Sequence, residues 1–217
     1  MGQNQIMIKR GIFGGTFDPI HWGHLKIAQA ALLTHSLQEI IWVPQLLPPR
    51  KTPQTTIAQR WSMAELAIAP YPQFCLPMDL ALWRRNFSQS PDYAINTFGL
   101  LQSLYPASRW FWILGVDSFL TLPRWKGRAE LIPKCHWLVA ARNWQDQEQL
   151  EQVAVELQTQ GIEIIWELLP MEAIDISSSL IRQTCQAHQP LDHLLPAPVW
   201  EYLIQHHLYS DPILPKA

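Results

Sequence analysis

Two histidines three residues apart close a glycine-rich stretch near the start of the chain, GIFGGTFDPIHWGH at 11–24. Four of the chain's nine glycines lie within it, and glycine lets a backbone approach a bulky ligand closely. At the start of a helix, His21 and His24 would face the same way. The N-terminus of that helix adds unpaired N–H donors and a partial positive charge. This combination predicts a cradle for a phosphate whose negative charge grows during a reaction.

Other chemistry stays open for the same residues. The stretch matches neither the G-x-x-x-x-G-K-(S/T) loop nor the G-x-G-x-x-G pattern of other phosphate-binding turns. The two histidines could simply be an exposed pair on a helix, or they could bind a metal with Asp18 as a third ligand. Glycines and histidines together in one strand-to-helix turn favour phosphate binding over both alternatives.

Strand-like and helix-like segments alternate along the chain, and they must position this turn. The apolar patterns predict strands at 6–13, 39–44, 74–78, 109–115, 136–142 and 162–168, and helices at 24–35, 57–69, 93–105, 146–161, 177–185 and 197–207. The alternation predicts an α/β fold, a Rossmann-like doubly wound parallel sheet with helices on both faces. The proline-rich stretch 44–56 is too short to separate domains, so we expect one domain over 1–217. In such sheets ligands bind where the strand order reverses, beyond the carboxyl ends of the strands.

Composition excludes several classes of protein. A formal net charge of −2 provides no basic field for a long nucleic acid. Three widely spaced cysteines, Cys75, Cys135 and Cys185, argue against a disulfide framework or a zinc cluster and fit a reducing compartment. No apolar run is long enough for a membrane span, and the first residues lack the apolar core of a signal peptide. We therefore expect a cytoplasmic protein with no membrane partner.

Two separated motifs carry a resemblance to a known family. GGTFDPIHWGH at 14–24 resembles the G-G-(S/T)-F-D-P-x-H-x-G-H motif of the HxGH nucleotidyltransferases, and ISSSLIR at 176–182 resembles their second signature. Within that superfamily the chain resembles the bacterial nicotinate-nucleotide adenylyltransferases over most of its length. The segments FWILGVDSFLTLPRWKGRAELI at 111–132 and LLPAPVWEYLIQHHLY at 194–209 are similar to corresponding segments of that family. The chain departs from the family pattern at two positions. Arg50 stands before Lys51 where the family has histidine, and Ala94 follows Tyr93 where the family has threonine.

The resemblance implies an activity. Members of the family join the phosphate of nicotinate mononucleotide to the AMP part of ATP, with Mg²⁺, and release pyrophosphate. The mononucleotide attacks the α-phosphorus directly, so no covalent enzyme intermediate is expected. ATP and nicotinate mononucleotide are thus the implied ligands, and the chain could form a homo-oligomer. Alternatives are a nicotinamide-nucleotide adenylyltransferase, a pantetheine-phosphate adenylyltransferase, a metal hydrolase and a non-catalytic nucleotide sensor.

The resemblance also implies roles for individual residues. The implied catalytic residues are His21, His24, Lys51 and Arg182. The implied ATP ligands are Gly14, Gly15, Thr16, Phe17, Gly115, Asp117, Arg142, Ser178 and Ser179. The implied mononucleotide ligands are Asp18, Tyr93, Thr97 and Trp125, whose ring would stack on the pyridine. Without the resemblance, Lys51 would be a solvated charge, the two serines a helix cap and Trp125 a core residue, as we expect for most of the eleven tryptophans.

Overall fold

A computed structural model describes residues 7–48, 52–87, 93–141, 146–171, 175–191 and 193–209. Arg50, Lys51 and Arg142 lie outside the described residues, so the roles expected of Lys51 and Arg142 stay predictions. Within the described residues, one sheet contains the strands β1 (Ile8–Gly15), β2 (Glu39–Pro44), β3 (Phe74–Cys75), β4 (Ser108–Gly115), β5 (Cys135–Ala140) and β6 (Ile165–Leu168).

The sheet has the order β3-β2-β1-β4-β5-β6, and every neighbouring pair is parallel. The chain builds one half outward from β1 and then crosses back to build the other half from β4. Phe13 of β1 is therefore paired with Trp42 on one side and with Ile113 on the other. This topology confirms the predicted Rossmann-like doubly wound sheet. The strand order reverses between β1 and β4, whose carboxyl ends become the expected ligand site.

Helices follow the strands. They are α1 (Trp22–Thr34), α2 (Ile57–Ile68), α3 (Leu80–Phe87), α4 (Ala94–Leu104), α5 (Val116–Phe119), α6 (Arg128–Leu131), α7 (Gln147–Thr159), α8 (Ser178–Gln186) and α9 (Ala197–Gln205), with 3-10 turns at Leu122–Arg124 and Ile132–Lys134. The longer predicted elements are confirmed within a few residues. Helix α3 was not predicted, although Asp79 caps it by accepting the Leu82 N–H at 2.9 Å. None of the described helices combines the length and apolar character needed to cross a bilayer.

Each face of the sheet carries its own apolar core, because successive strand residues point to opposite sides. On one face Phe13, Trp42 and Leu138 pack among buried residues of α1, α2, α8 and α9. On the other face Trp112 and Trp137 pack among buried residues of α3, α4 and α7. The helices on both faces confirm the predicted architecture and explain why the central strands are almost continuously apolar.

Candidate active site

The glycine-rich turn connects β1 to α1, and its adjacent residues Gly14 and Gly15 have different structural roles. β1 ends at Gly14 and Gly15, and the chain then passes through Phe17, whose φ of 50° lies in the left-handed region, and a cis Asp18–Pro19 bond. A Cβ on Gly15 would lie 2.7 Å from the ring of Phe17, which is buried. A Cβ on Gly14 would meet nothing within 4 Å. Gly15 therefore makes room for Phe17, whereas Gly14 leaves an open face toward the ligand site.

Alanine at Gly14 and alanine at Gly15 should change the stability of the fold by different amounts. We expect Gly15→Ala to lower the free energy of unfolding by about 1–3 kcal/mol, because the buried Phe17 ring must move. Gly14→Ala is the matched control. Its free energy of unfolding should lie within about 0.5 kcal/mol of the wild-type value, since its methyl group enters open space. Denaturant unfolding of both variants measures the difference, and equal stabilities would contradict the packing described for Phe17.

The two histidines stand together at the start of α1, as predicted. Their ring centroids are 3.7 Å apart, and His21 is the buried N-cap residue of the helix. The Nδ1 of His24 accepts the backbone N–H of His21 at 3.2 Å. A ring nitrogen that accepts a hydrogen bond carries no proton, so the neutral His24 ring holds its proton on Nε2. His24 is thereby set up as a donor.

Two adjoining pockets lie beyond the carboxyl ends of β1 and β4. The histidine pocket has a volume of about 780 Å³ and is lined by His21, His24, Ser177–Ser179 and Arg182, among others. The tryptophan pocket has a volume of about 470 Å³ and is lined by Tyr93, Thr97, Trp112 and Arg124–Lys126, among others. They share Gly14, Gly15, Thr16, Leu114, Asp117 and Ser118. Two ligands, one in each pocket, would meet at these shared residues.

Hydrogen bonds join the N-terminal part of α8 to the turn before α1. The Ser177 side chain caps α8 by accepting the Leu180 N–H at 3.1 Å. The Ser178 hydroxyl donates to the Pro19 carbonyl at 2.8 Å, and Arg182 donates to the Asp18 carbonyl at 2.7 Å. The two motifs from opposite ends of the chain are thus brought together, as the resemblance implied. Because the Ser178 hydroxyl proton is used in this bond, a phosphate here would be met first by helix N–H groups and by Arg182.

Arg182 also donates to the Ser179 Oγ at 3.1 Å. The Ser179 hydroxyl keeps its own proton for another acceptor, because an oxygen that accepts a bond can still donate one. Ser179 therefore remains a prediction as a phosphate donor, and Arg182 lines the pocket that this donor would serve.

The Asp18 carboxylate is buried among protein donors. Its Oδ1 accepts the hydroxyls of Thr55 and Tyr209 at 2.5 and 2.6 Å, and its Oδ2 accepts the Gln54 N–H at 2.7 Å. Burial, and then the bond to Asp18, raises the pKa of Tyr209, so this phenol stays a donor. The carboxylate therefore fixes the turn against residues 54–55 and Tyr209. In the part of the chain that the structure describes, Asp18, His21 and His24 do not form a group with metal-ligand spacing. The contact of Asp18 with a mononucleotide stays a prediction.

A buried arginine that the sequence analysis did not single out also holds the turn. Arg60 of α2 is 1% exposed and donates to the carbonyl oxygens of Thr16 at 2.8 Å and Gln45 at 2.6 Å. These bonds join the glycine-rich turn to the residue after β2. The available signal was a cation among the apolar residues of IAQRWSMAELAI.

Aromatic side chains form one wall of the tryptophan pocket. Trp125 is half-buried, and its Nε1–H donates to the Thr121 Oγ1 at 2.8 Å. Its ring packs edge-on against Trp112 and Trp137, with centroids 6.1 and 5.9 Å away. The predicted Tyr93, Thr97 and Trp125 therefore line one pocket. Arg124 and Lys126, the two cations next to Trp125 in the sequence, also line this pocket and were not predicted.

Gly115 and Asp117 lie where β4 meets α5, at the border of the two pockets. Gly115 ends β4 and is the N-cap of α5, and Asp117 is exposed and lines both pockets. The predicted strand-end position is confirmed. An exposed carboxylate at this border can accept hydrogen bonds from a sugar hydroxyl.

No cysteine is set up as a nucleophile. Burial and the neighbouring Glu39 raise the pKa of the Cys75 thiol to about 12. Burial also raises the pKa of Cys135 and of Cys185. All three are thiols rather than thiolates at neutral pH, which leaves any transfer between the two pockets to proceed without a cysteine intermediate.

Comparison with known proteins defines the class. The family described as cytidylyltransferase-like matches residues 12–184. The chain belongs to this family of nucleotidyltransferases. It shares 42% identity over 206 residues with a probable nicotinate-nucleotide adenylyltransferase of Trichormus variabilis, covering 92% of this chain and 96% of that protein. A protein of the same name from Gloeobacter violaceus is 38% identical, with 93% and 96% covered. Within the class, the chain thus belongs to the nicotinate-nucleotide adenylyltransferase family.

Solved structures agree on the fold. Plasmodium falciparum nicotinic acid mononucleotide adenylyltransferase complexed with NaAD superposes with a TM-score of 0.68 at 18% identity, covering 93% of this chain and 97% of that one. A crystal structure from Vibrio parahaemolyticus, described as a putative nicotinate-nucleotide adenylyltransferase, superposes with a TM-score of 0.59 at 16% identity, covering 95% and 98%.

Proposed function

We propose that the chain transfers the AMP part of ATP to nicotinate mononucleotide, forming deamido-NAD and pyrophosphate in NAD biosynthesis. The observation that carries the proposal is the pair of pockets that meet at the carboxyl ends of β1 and β4. The histidine pocket suits a triphosphate, and the tryptophan pocket suits a flat ring. The names of the curated relatives point to the same reaction.

The reaction requires two anions to be aligned and their repulsion to be neutralised. An oxygen of the mononucleotide phosphate attacks the α-phosphorus of ATP, and the bond from that phosphorus to the bridging oxygen breaks. The leaving pyrophosphate takes the electron pair of that bond. His24 would donate from Nε2, while Arg182 and the N-termini of α1 and α8 would supply positive charge to the phosphates.

Mg²⁺ enters this proposal as part of the MgATP substrate. Among the described residues, the group of donors with metal-ligand spacing is His35, His136 and Glu167, which lies outside both pockets. The residues of the histidine pocket thus fit a metal carried by the phosphates of ATP. Bound there, the ion would neutralise phosphate oxygens, while the residues of the chain orient them.

The tryptophan pocket favours an acid over an amide on the pyridine ring. Arg124 and Lys126, the sequence neighbours of Trp125, also line it, and the Lys126 Nζ lies 4.7 Å from the Tyr93 ring centre. Electrostatic attraction to such cations stabilises a bound carboxylate, and it stabilises a neutral amide much less. We therefore place nicotinate mononucleotide first and keep nicotinamide mononucleotide as the alternative.

An acceptor panel tests the proposal. The purified chain is given ATP and Mg²⁺ with nicotinate mononucleotide, nicotinamide mononucleotide or phosphopantetheine, and the release of pyrophosphate is measured. We expect the highest kcat/KM with nicotinate mononucleotide. Equal or faster use of the nicotinamide nucleotide would reject the acid preference, fastest use of phosphopantetheine would indicate the sister enzyme, and ATP binding without pyrophosphate would indicate a sensor.

Trp125→Ala should weaken use of the mononucleotide and spare ATP. Loss of base stacking on an aromatic side chain costs about 1–3 kcal/mol, so we expect KM for the mononucleotide to rise on the order of tenfold. Trp200→Ala is the matched control, because Trp200 is also half-buried but packs in the core on the other face. Similar kinetics in the two variants would return Trp125 to a purely structural role.

We also propose that residues 1–217 form one domain that acts in the cytoplasm, without a membrane or long nucleic-acid partner. The single sheet that joins both halves of the fold supports one domain.

A further inference from the structure

A second cluster of chemically competent side chains lies away from both pockets. His35 is the C-cap residue of α1, His136 is the second residue of β5, and Glu167 lies in the edge strand β6. The His136 ring stacks on Phe111, with centroids 5.2 Å apart, on the face of the sheet that α1 covers. Because α1 runs back along the sheet, its C-terminus reaches the amino ends of the strands. The cluster is therefore at the opposite end from the pockets.

The three side chains converge on one point. The His136 Nε2 lies 2.7 Å from Glu167 Oε1, and the His35 Nε2 lies 3.9 Å from Glu167 Oε2. One ligand atom from each residue lies within 4.8 Å of the others. Tetrahedral zinc with bonds of about 2.0–2.2 Å holds its ligand atoms about 3.4 Å apart. The separations therefore bracket the spacing that zinc requires, and small rotations of the half-exposed Glu167 side chain would equalise them.

The chemistry of the cluster also suits a metal. Both imidazoles are only 12% exposed, and among the described residues the buried His35 Nε2 has no hydrogen-bond partner. The Lys9 ammonium donates to the His35 carbonyl at 3.1 Å, and Arg109 is also a cation near His136. Glu167 supplies the negative charge of the cluster.

We propose that His35, His136 and Glu167 bind one Zn²⁺ ion, with solvent as the fourth ligand. Two imidazoles and one carboxylate form a donor set that zinc prefers. The ion would join the end of α1 to β5 and β6. It would contribute to stability and take no part in the chemistry of the two pockets.

Zinc titration of the tag-free, metal-free protein tests the site. Competition with a chromophoric chelator should show one bound equivalent, and Co²⁺ should give the intense visible absorption of a tetrahedral complex. At a hundredfold excess of Zn²⁺ over Kd, the midpoint of thermal unfolding should rise by about 5–10 °C. Glu167→Gln and His35→Gln should each weaken zinc binding on the order of tenfold or more.

Two control variants locate the ion. His206→Gln removes an exposed histidine that is the C-cap residue of α9, as His35 is of α1, and His24→Ala removes one of the clustered histidines of the histidine pocket. Both should bind zinc as the wild type does. The proposal is overturned by an absence of saturable binding, by unchanged affinity in Glu167→Gln, or by loss of the site in His24→Ala. Glu167→Gln should also keep wild-type adenylyl transfer, which separates this test from that of the proposed function.

Discussion

His24→Ala is expected to lower kcat by about 10²–10³-fold while the protein stays folded, because one preorganised donor to a developing charge is lost. The structure fixes that donor: the His24 Nδ1 accepts the His21 N–H at 3.2 Å, which keeps the proton of the neutral ring on Nε2. The ring also lines the pocket that suits a triphosphate. Pyrophosphate release under saturating substrates measures the change.

The same bond caps α1, so loss of the cap must be separated from loss of catalysis. Removal of a capping acceptor costs about 1 kcal/mol of stability, and thermal unfolding of His24→Ala will show it. His24→Gln is the control, because a glutamine at this position can accept the same N–H and restore the cap. His24→Gln should recover the stability of the wild type, and its kcat should stay as low as that of His24→Ala. Activity of His24→Ala within a few-fold of the wild type would remove His24 from the reaction.

Arg182→Ala is expected to lower kcat/KM for ATP by about 10–100-fold, since a hydrogen bond to a charged group contributes roughly 1.5–3 kcal/mol. Arg182 lies one turn into α8, beside the N-terminal N–H groups that would meet a phosphate. Arg182→Lys should recover only part of the loss, because an ammonium cannot reproduce the fork of the guanidinium. Initial rates with ATP varied at saturating nicotinate mononucleotide measure the effect.

Arg182 also donates to the Asp18 carbonyl at 2.7 Å, so a purely structural role has to be distinguished. If the guanidinium only held the turn, its loss would disturb both pockets and raise both KM values together. We expect KM for nicotinate mononucleotide to change by less than about threefold, because Arg182 lines the histidine pocket and does not line the tryptophan pocket. Equal loss toward both substrates would leave Arg182 as a structural residue.

The sequence was sufficient to predict the sheet because its central strands are buried on both faces. The run RWFWILG at 109–115 is too apolar for a surface element, and β4 occupies Ser108–Gly115. The prediction was wrong at 74–78, where β3 covers only Phe74–Cys75, since Pro77 has no N–H to donate to a neighbouring strand. Helix α3 was missed because it is only eight residues long, LALWRRNF, and two of these residues are arginines.

The candidate site was predictable where chemistry follows local spacing, and not where it depends on distant contacts. The shared face of His21 and His24 follows from helical geometry. The bond from Tyr209 to Asp18 spans 191 positions, and that from Ser178 to Pro19 spans 159. No local pattern encodes such pairs, so the protein donors around the Asp18 carboxylate were not predicted, while its contact with the mononucleotide stays a prediction.

The most direct test of adenylyl transfer follows the α-phosphate of ATP. The chain is incubated with Mg²⁺, nicotinate mononucleotide and ATP that carries a radioactive α-phosphate, and the products are separated. We expect the label to enter a dinucleotide with the mass of deamido-NAD, with one unlabelled pyrophosphate released for each dinucleotide formed. Label recovered as AMP or ADP, with the mononucleotide unchanged, would contradict it.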